Sequence, residues 1–389
     1  MKRSETHILT THVGSLPRSE AMIAMLDRRE AGDPPPVEEF NRMAHAEVEA
    51  VVRRQLDAGV DVVSDGETSK MSYATYVEDR LTGFADGSTT PKIHLDLAPH
   101  PDLRRKLALV NGTQRFRRPA CVGPIAVKDT AALQADIANL KDAAKAAKAP
   151  EAFMNAASPG VIAGFLPNEY YKTHEEYVEA AANAMATEYE TIADAGLLVQ
   201  VDCPDLAMCR HTSFQDLTDD EFVKRAGLHA EMLNHALRNV PKEQVRVHIC
   251  WGNYEGPHTH DIDLPKILGV LLGVKAGAFQ FESANPRHGH DWATWRDAKL
   301  PDDLILIPGV IDTSTNFVEH PELVAQRIGQ FAAIVGRERV IGGTDCGFGT
   351  SAGYGKLDPA VAYLKLKTLA EGAAIASRRL WNQASPHIS

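Results

Sequence analysis

The chain has 389 residues, 44% hydrophobic and 24% charged, the composition of an ordinary globular protein. Its formal net charge, 41 − 52 = −11, argues against a nucleic-acid surface. No run reaches the roughly 18 apolar residues of a membrane span, residues 1–7 lack the apolar core of a secretory signal, and five cysteines are too few and too odd for a disulfide framework, so a reducing cytoplasm is expected.

Along the chain, short apolar runs predict strands over 8–15, 60–66, 119–125, 152–157, 197–202, 245–251, 278–283, 303–311 and 339–345. Helical patterns separate several of them, at 37–59, 174–195, 219–239 and 321–336. Thr173 reads as an N-cap with Gly196 at the far end of its helix, and Pro321 as a first-turn residue. Repeated β-then-α units predict a parallel sheet. About eight of them predict an α/β fold, a (β/α)8 TIM barrel, as one domain over residues 1–389. One strand candidate is then surplus. It is assigned to 119–125, within an inserted excursion around 85–128 that carries Pro91, Pro99 and Pro101. The basic cluster at 115–118 is expected to be solvated surface, and 141–148 the exposed end of a helix.

Polar residues gather at the C-terminal ends of the strand candidates: Ser15, Glu67, Ser158, Asp202, Cys250, Glu282, Asp312 and Cys346. In an α/β barrel that rim is where the active site forms, and a packed core would put Val, Ile or Leu there.

In Val245-Arg246-Val247-His248-Ile249-Cys250-Trp251, His248 and Cys250 are two apart and share one face of a strand. An isolated His-x-Cys is more often structural. Here, however, Glu282 and Cys346 stand at the ends of later strands, and ring closure brings those ends to one rim. Two thiolates, an imidazole and a carboxylate form a borderline-soft set that favours zinc over magnesium or calcium. That set supplies −3 against +2, too electron-rich to polarise a carbonyl well but suited to holding a substrate thiol as thiolate, with the thiol displacing Glu282. The expected reaction is alkylation of that thiolate. Two further pairs, His258/His260 and His288/His290, lie on loops and are expected in polar lids. Cys121, Cys203 and Cys209 are read as small buried hydrophobes.

Thr11-His12-Val13-Gly14-Ser15-Leu16-Pro17-Arg18 resembles the opening motif of the catalytic barrel in cobalamin-independent methionine synthases. Asp65-Gly66-Glu67, Val201-Asp202-Cys203-Pro204, His248-Ile249-Cys250, Phe281-Glu282-Ser283 and Asp345-Cys346-Gly347 resemble later motifs of that barrel, in order and over nearly the whole chain. The resemblance implies a zinc-bearing barrel of the type shared with uroporphyrinogen decarboxylase, with His248, Cys250, Glu282 and Cys346 as ligands. It implies Ser15, Glu67 and Asp202 as the residues that hold the amino-acid part of homocysteine. The partners implied are a small-molecule thiol and an alkyl donor such as a methyl-folate. The chain is similar to the short members that consist of the catalytic barrel alone. These include epoxyalkane:coenzyme M transferases, so thiol addition to an epoxide is the alternative; a metal-free decarboxylase on the same fold is a third.

Two positions depart from the family pattern. Asp312 is followed by Thr313, where the family has Asp-His and the histidine is implied to protonate a departing folate nitrogen; threonine cannot do so near neutral pH. The element after Asp202 reads Cys203-Pro204-Asp205. Asp312 stays a catalytic candidate, and His12, His258 or His320 is expected to replace the missing acid. Arg18 is a candidate for binding an anionic group of the substrate.

Overall fold

The computed structural model describes residues 1–87, 92–111, 118–355 and 357–382. Its strands are β1 Leu9–Thr10, β2 Val62–Val63, β3 Phe84–Asp86, β4 Pro119–Cys121, β5 Glu151–Ala157, β6 Leu198–Asp202, β7 Val245–Ile249, β8 Ala278–Phe281, β9 Ile305–Ile311 and β10 Ile341–Thr344. Eight of them form one parallel sheet in the order β1-β10-β9-β8-β7-β6-β5-β2. The seam between β1 and β2 is bridged by Asp61 N–H to Thr10 O at 3.1 Å and by the Thr11 hydroxyl to Val62 O at 3.0 Å. The result is the expected (β/α)8 barrel.

The surplus strand is the one at 119–121. It pairs antiparallel with β3 in a ribbon outside the barrel. β3 itself, three residues with two exposed, has no apolar run to announce it. Of the basic cluster, residues 115–117 lie outside the described residues.

Helices fall where the 3.6-residue pattern placed them: Val37–Asp57, His174–Asp194, Asp219–Ala236 and Pro321–Val335. The Thr173 hydroxyl accepts from Glu176 N–H, and Thr218 with Glu221 forms a capping box.

The strands alternate between a helix-facing side and a lumen-facing side, and the lumen changes character along its axis. At the base, Leu9, Ala278, Ile305, Ile307 and Ile341 form one apolar cluster, Val62, Phe153 and Leu198 another, and Met1 packs on both. Above them lies a polar layer. Arg246 donates to Thr11 Oγ1 at 3.0 Å, to His12 O at 2.9 Å and to Gln280 Oε1, while Gln280 donates to Thr344 O at 3.0 Å. The Arg246 guanidinium sits 4.1 Å over the Phe153 ring. A buried guanidinium is tolerated because these acceptors replace water.

Candidate active site and metal centre

Two residues above that polar layer, the same alternation sets the rim. Gln200 leads to Asp202, Arg246 to His248 and Gln280 to Glu282, and Asp202 is the register partner of His248. The loops after β7 and β10 then carry Cys250 and Cys346.

His248, Cys250 and Cys346 each offer one ligand atom, and the three atoms lie within 4.8 Å of one another. The two sulfurs are 3.7 Å apart. A tetrahedral cation with metal–sulfur bonds of about 2.3 Å would hold two sulfurs about 3.8 Å apart. His248 is fully buried, yet neither ring nitrogen has a hydrogen-bond partner among the described residues. Buried polar atoms rarely go unpaired, and a cation at the trio would take up one of these two nitrogens, since each residue offers it a single ligand atom. Burial pushes the His248 pKa down to about 3, which keeps the imidazole in its metal-binding neutral form. The Cys346 sulfur, then burial, push the Cys250 thiol well above its ordinary range. Gly252 N–H donates to Cys250 Sγ at 3.2 Å. The neighbouring Asp345 accepts N–H bonds from Ser283, Ala284 and Asn285 at 2.8 Å, which ties the end of β10 to the end of β8.

Glu282 stands beside this trio rather than in it. Its Oε1 accepts Trp251 N–H at 2.7 Å and its Oε2 accepts from Asn285 Nδ2 at 2.7 Å.

A cavity of about 170 Å³ opens onto the trio and is also lined by Ser15, Glu67 and Asp202. Glu67 is buried with φ 54°, following Gly66 at φ 67°. A residue with a side chain in this region is strained, and such strain is typically kept at working sites. Its Oε1 has no hydrogen-bond partner among the described residues, and Lys70 Nζ is 4.0 Å away. Asp202 accepts from Asn155 Nδ2 at 2.9 Å and Gln200 Nε2 at 3.0 Å. Burial, and next the charge of Glu67, raise its pKa to about 7. Burial likewise raises the pKa of Glu67, against the pull of Lys70 and Arg18. Two buried carboxylates on the wall of one cavity make a strong site for a cation.

Other candidates stand elsewhere. Arg18 is buried, but its guanidinium donates to Glu67 O at 2.8 and 3.1 Å and to Gly349 O at 2.7 Å. It clamps the backbone that presents Glu67 and does not line the cavity. His12 Nε2 meets Gln55 Oε1 at 2.7 Å, and Nδ1 accepts Gly14 N–H at 3.1 Å. Burial drives its pKa to about 4, and it too is absent from the cavity wall. Asp312 accepts from Ser314 N–H at 2.9 Å, Ser314 Oγ at 2.8 Å and Thr315 Oγ1, capping its own loop. His320 caps the helix Pro321–Val335. Each His-x-His pair splits: His258 and His288 share Asp261 at 3.0 Å each, while His260 and His290 are exposed. Cys121, Cys203 and Cys209 are buried and free. The wall also holds Asn155, His94 and Tyr254, which the sequence patterns did not single out. Asn155 was within reach, as it stands two residues before the end of a predicted strand.

A sequence profile described as the cobalamin-independent synthase catalytic domain matches residues 8–91 and 161–362. The chain is 26% identical over 385 residues to a methionine synthase of Thermococcus kodakarensis, covering 97% of this chain and 96% of that one. It is 24% identical over 374 residues to a methionine synthase of Saccharolobus solfataricus, covering 95% of each. Among solved structures, a B12-independent methionine synthase from a Shewanella species, in complex with selenomethionine, superposes with a TM-score of 0.72 at 21% identity, covering 97% of this chain and 99% of that one. That likeness confirms the barrel. With the matched stretches covering most of the chain, including the Ser15, Glu67, Asp202, His248, Cys250 and Cys346 positions, the protein belongs to the cobalamin-independent methionine synthase family and carries its catalytic domain.

Proposed function

We propose that this protein is a zinc-dependent S-methyltransferase whose acceptor is a thiol amino acid of the homocysteine type. One observation carries the reading: a soft metal-binding trio and a pair of buried carboxylates line the same small cavity. The names of the relatives, methionine synthases in each case, point the same way.

His248, Cys250 and Cys346 would hold the zinc, with Glu282 as the fourth ligand that an incoming thiol replaces. Zinc when bound stabilises a thiolate near neutral pH, where a free thiol with a pKa near 8.5 is mostly protonated. The chain's own residues do the rest. Glu67 and Asp202 pair with the α-ammonium of the acceptor, and Ser15 is available to its carboxylate. Asn155 and Gln200 hold Asp202 in place. Phe165, Leu166 and Met208 exclude water from the reacting sulfur, and fixed placement of acceptor and donor lowers the barrier further. The carboxylates also favour an ammonium-bearing thiol over a sulfonate such as coenzyme M, which they would repel.

The test incubates zinc-loaded protein with homocysteine and a panel of methyl donors that includes methyltetrahydrofolate and a methylsulfonium, with methionine read by mass spectrometry. Coenzyme M with an epoxide is the comparison arm. Methionine formation supports the reading. A product only in the comparison arm, or no binding of homocysteine at all, overturns it.

A further inference from the structure

The reaction proposed above leaves a proton to be moved. A thiol that becomes a thioether loses its S–H proton, and a donor atom that departs as an anion must gain one. Glu67 and Asp202 are committed to the amino end of the acceptor in that reading. Burial raises the Tyr73 and Tyr254 hydroxyls far above the neutral range, so they neither take up a proton nor part with one. Apart from the ligand His248, the described histidine that lines the cavity is His94.

His94 lies in the excursion, between the two stretches matched to the family. The segment around it is pinned on both sides. Ile93 O accepts from Gln215 Nε2 at 2.8 Å, and Leu95 N–H donates to His211 O at 3.0 Å. Asp96 Oδ2 accepts from the Tyr254 hydroxyl at 2.6 Å and from His258 N–H at 3.0 Å, which fastens the excursion to the loop after Cys250. The His94 ring meets Tyr254 edge-on at 5.1 Å and His211 at 5.8 Å. Its Nδ1 is buried with no hydrogen-bond partner among the described residues. Among the described residues, the titratable and charged groups around it include Asp96 on its own segment, Arg118, His211, Tyr254 and His258. Burial dominates among these influences, with Asp96 opposing it and Arg118 and His258 reinforcing it, so the resting imidazole is neutral and, once protonated, gives its proton up readily.

We propose that His94 is the proton carrier of the alkyl transfer, taking the proton of the incoming thiol and handing it to the atom from which the alkyl group departs. The S–H bond breaks as an N–H bond forms at His94. The S–C bond then forms as the bond between carbon and the leaving atom breaks, and the His94 proton passes to that atom. The imidazole ends neutral, and nothing is oxidised or reduced. The proposal rests on the thiol-acceptor reading above.

The experiment measures proton release when homocysteine binds to the zinc-loaded full chain, using a pH indicator in weak buffer, alongside thiol affinity by calorimetry. Proton exchange at Glu67 and Asp202 is common to wild type and variant and cancels in the difference. His94→Gln is expected to release more protons per thiol bound than wild type, by up to about one, with the difference growing as pH is lowered from about 8 to about 6, because the carrier is gone. Affinity is expected to stay within about threefold, while turnover falls on the order of 100-fold or more. Exogenous imidazole should restore part of the turnover of His94→Gly, which a purely structural role would not predict. His94→Asn repeats the release measurement should His94→Gln fold poorly. Equal proton release by wild type and variant, or full turnover in the variant, overturns the role of His94 while leaving the thiol reading intact. Failure of the wild type to bind homocysteine instead removes the reading beneath it, and the carrier with it.

Discussion

Cys250 Sγ and Cys346 Sγ lie 3.7 Å apart, although 96 residues separate them in the chain. Their strands, β7 and β10, are not neighbours, since β8 and β9 stand between them. The sulfurs therefore meet across the mouth of the barrel, and only closure of the sheet brings them together. Replacing either by serine should lower zinc content well below one per chain and reduce thiol methylation by at least about 100-fold. The far-ultraviolet circular dichroism should stay that of the barrel, whose core lies elsewhere. Elemental analysis of the purified variants checks the first expectation. Full zinc occupancy with wild-type turnover would contradict the assignment.

Asp202 is expected to act on the acceptor's ammonium. Asp202→Asn keeps the shape and removes the charge, so KM for homocysteine should rise about 10- to 100-fold, the range of a charge-assisted hydrogen bond of roughly 1.5–3 kcal/mol. An acceptor without the amino group, such as 3-mercaptopropionate, should be used about equally by both enzymes. If the two acceptors lose the same factor, Asp202 is not the ammonium partner.

The same residue gives a pH trend in stability. Burial and Glu67 raise its folded pKa to about 7, above the ordinary carboxylate value. The native state then holds a proton that the unfolded chain has lost, so this group's contribution is complete below about pH 4 and fades as pH climbs through 7. Asp202→Asn removes that fading. Thermal melts should therefore show the variant gaining on wild type between pH 5 and pH 8. The opposite trend would mean that Asp202 is ionised and satisfied in the native state.

Much of the site was legible because strand alternation is strict. In a barrel, a polar residue that ends an apolar strand has one place to go, and Asp202, His248 and Glu282 follow that rule with Gln200, Arg246 and Gln280 beneath them. What the rule cannot give is the partner of each side chain. His12 shares a motif with Ser15, but its ring is taken by Gln55, which the helix Val37–Asp57 delivers. Asp312 stands at a strand end as a catalytic carboxylate would, yet the next three residues include two hydroxyls that satisfy it locally. His94 sits in a stretch with no periodicity, where nothing in the sequence indicates which wall of the cavity it forms.

Arg18 illustrates a partner chosen by tertiary structure. Its three donor nitrogens reach the carbonyls of Glu67 and Gly349, two segments that both border the cavity. Arg18→Ala should leave the buried Gly349 carbonyl unpaired, while Glu67 O keeps its bond from Lys70 N–H at 3.1 Å, and cost about 1–3 kcal/mol of stability. Arg18→Lys should recover only part, because one ammonium cannot reproduce the planar fork. Urea unfolding curves check both. A KM effect confined to anionic acceptors, with stability unchanged, would instead restore the substrate-binding role expected from the sequence.

Gly14 links the opening motif to the acceptor site. Its φ is 139°, and a Cβ placed there would lie 2.0 Å from Asn155 Oδ1. Asn155 Nδ2 in turn donates to Val13 O at 2.8 Å and to Asp202 Oδ2 at 2.9 Å. Gly14→Ala therefore combines a disfavoured backbone angle, worth about 1–3 kcal/mol, with a collision that pushes Asn155 off Asp202. The melting temperature should fall and KM for homocysteine should rise together. Adding Asn155→Ala makes room for the new methyl group but does not restore the bond to Asp202. The double variant should thus melt above Gly14→Ala while keeping the raised KM, a non-additive pattern expected only of residues in contact. Additive losses in the double variant would show that Gly14 and Asn155 do not meet, and that the glycine serves its own backbone angle alone.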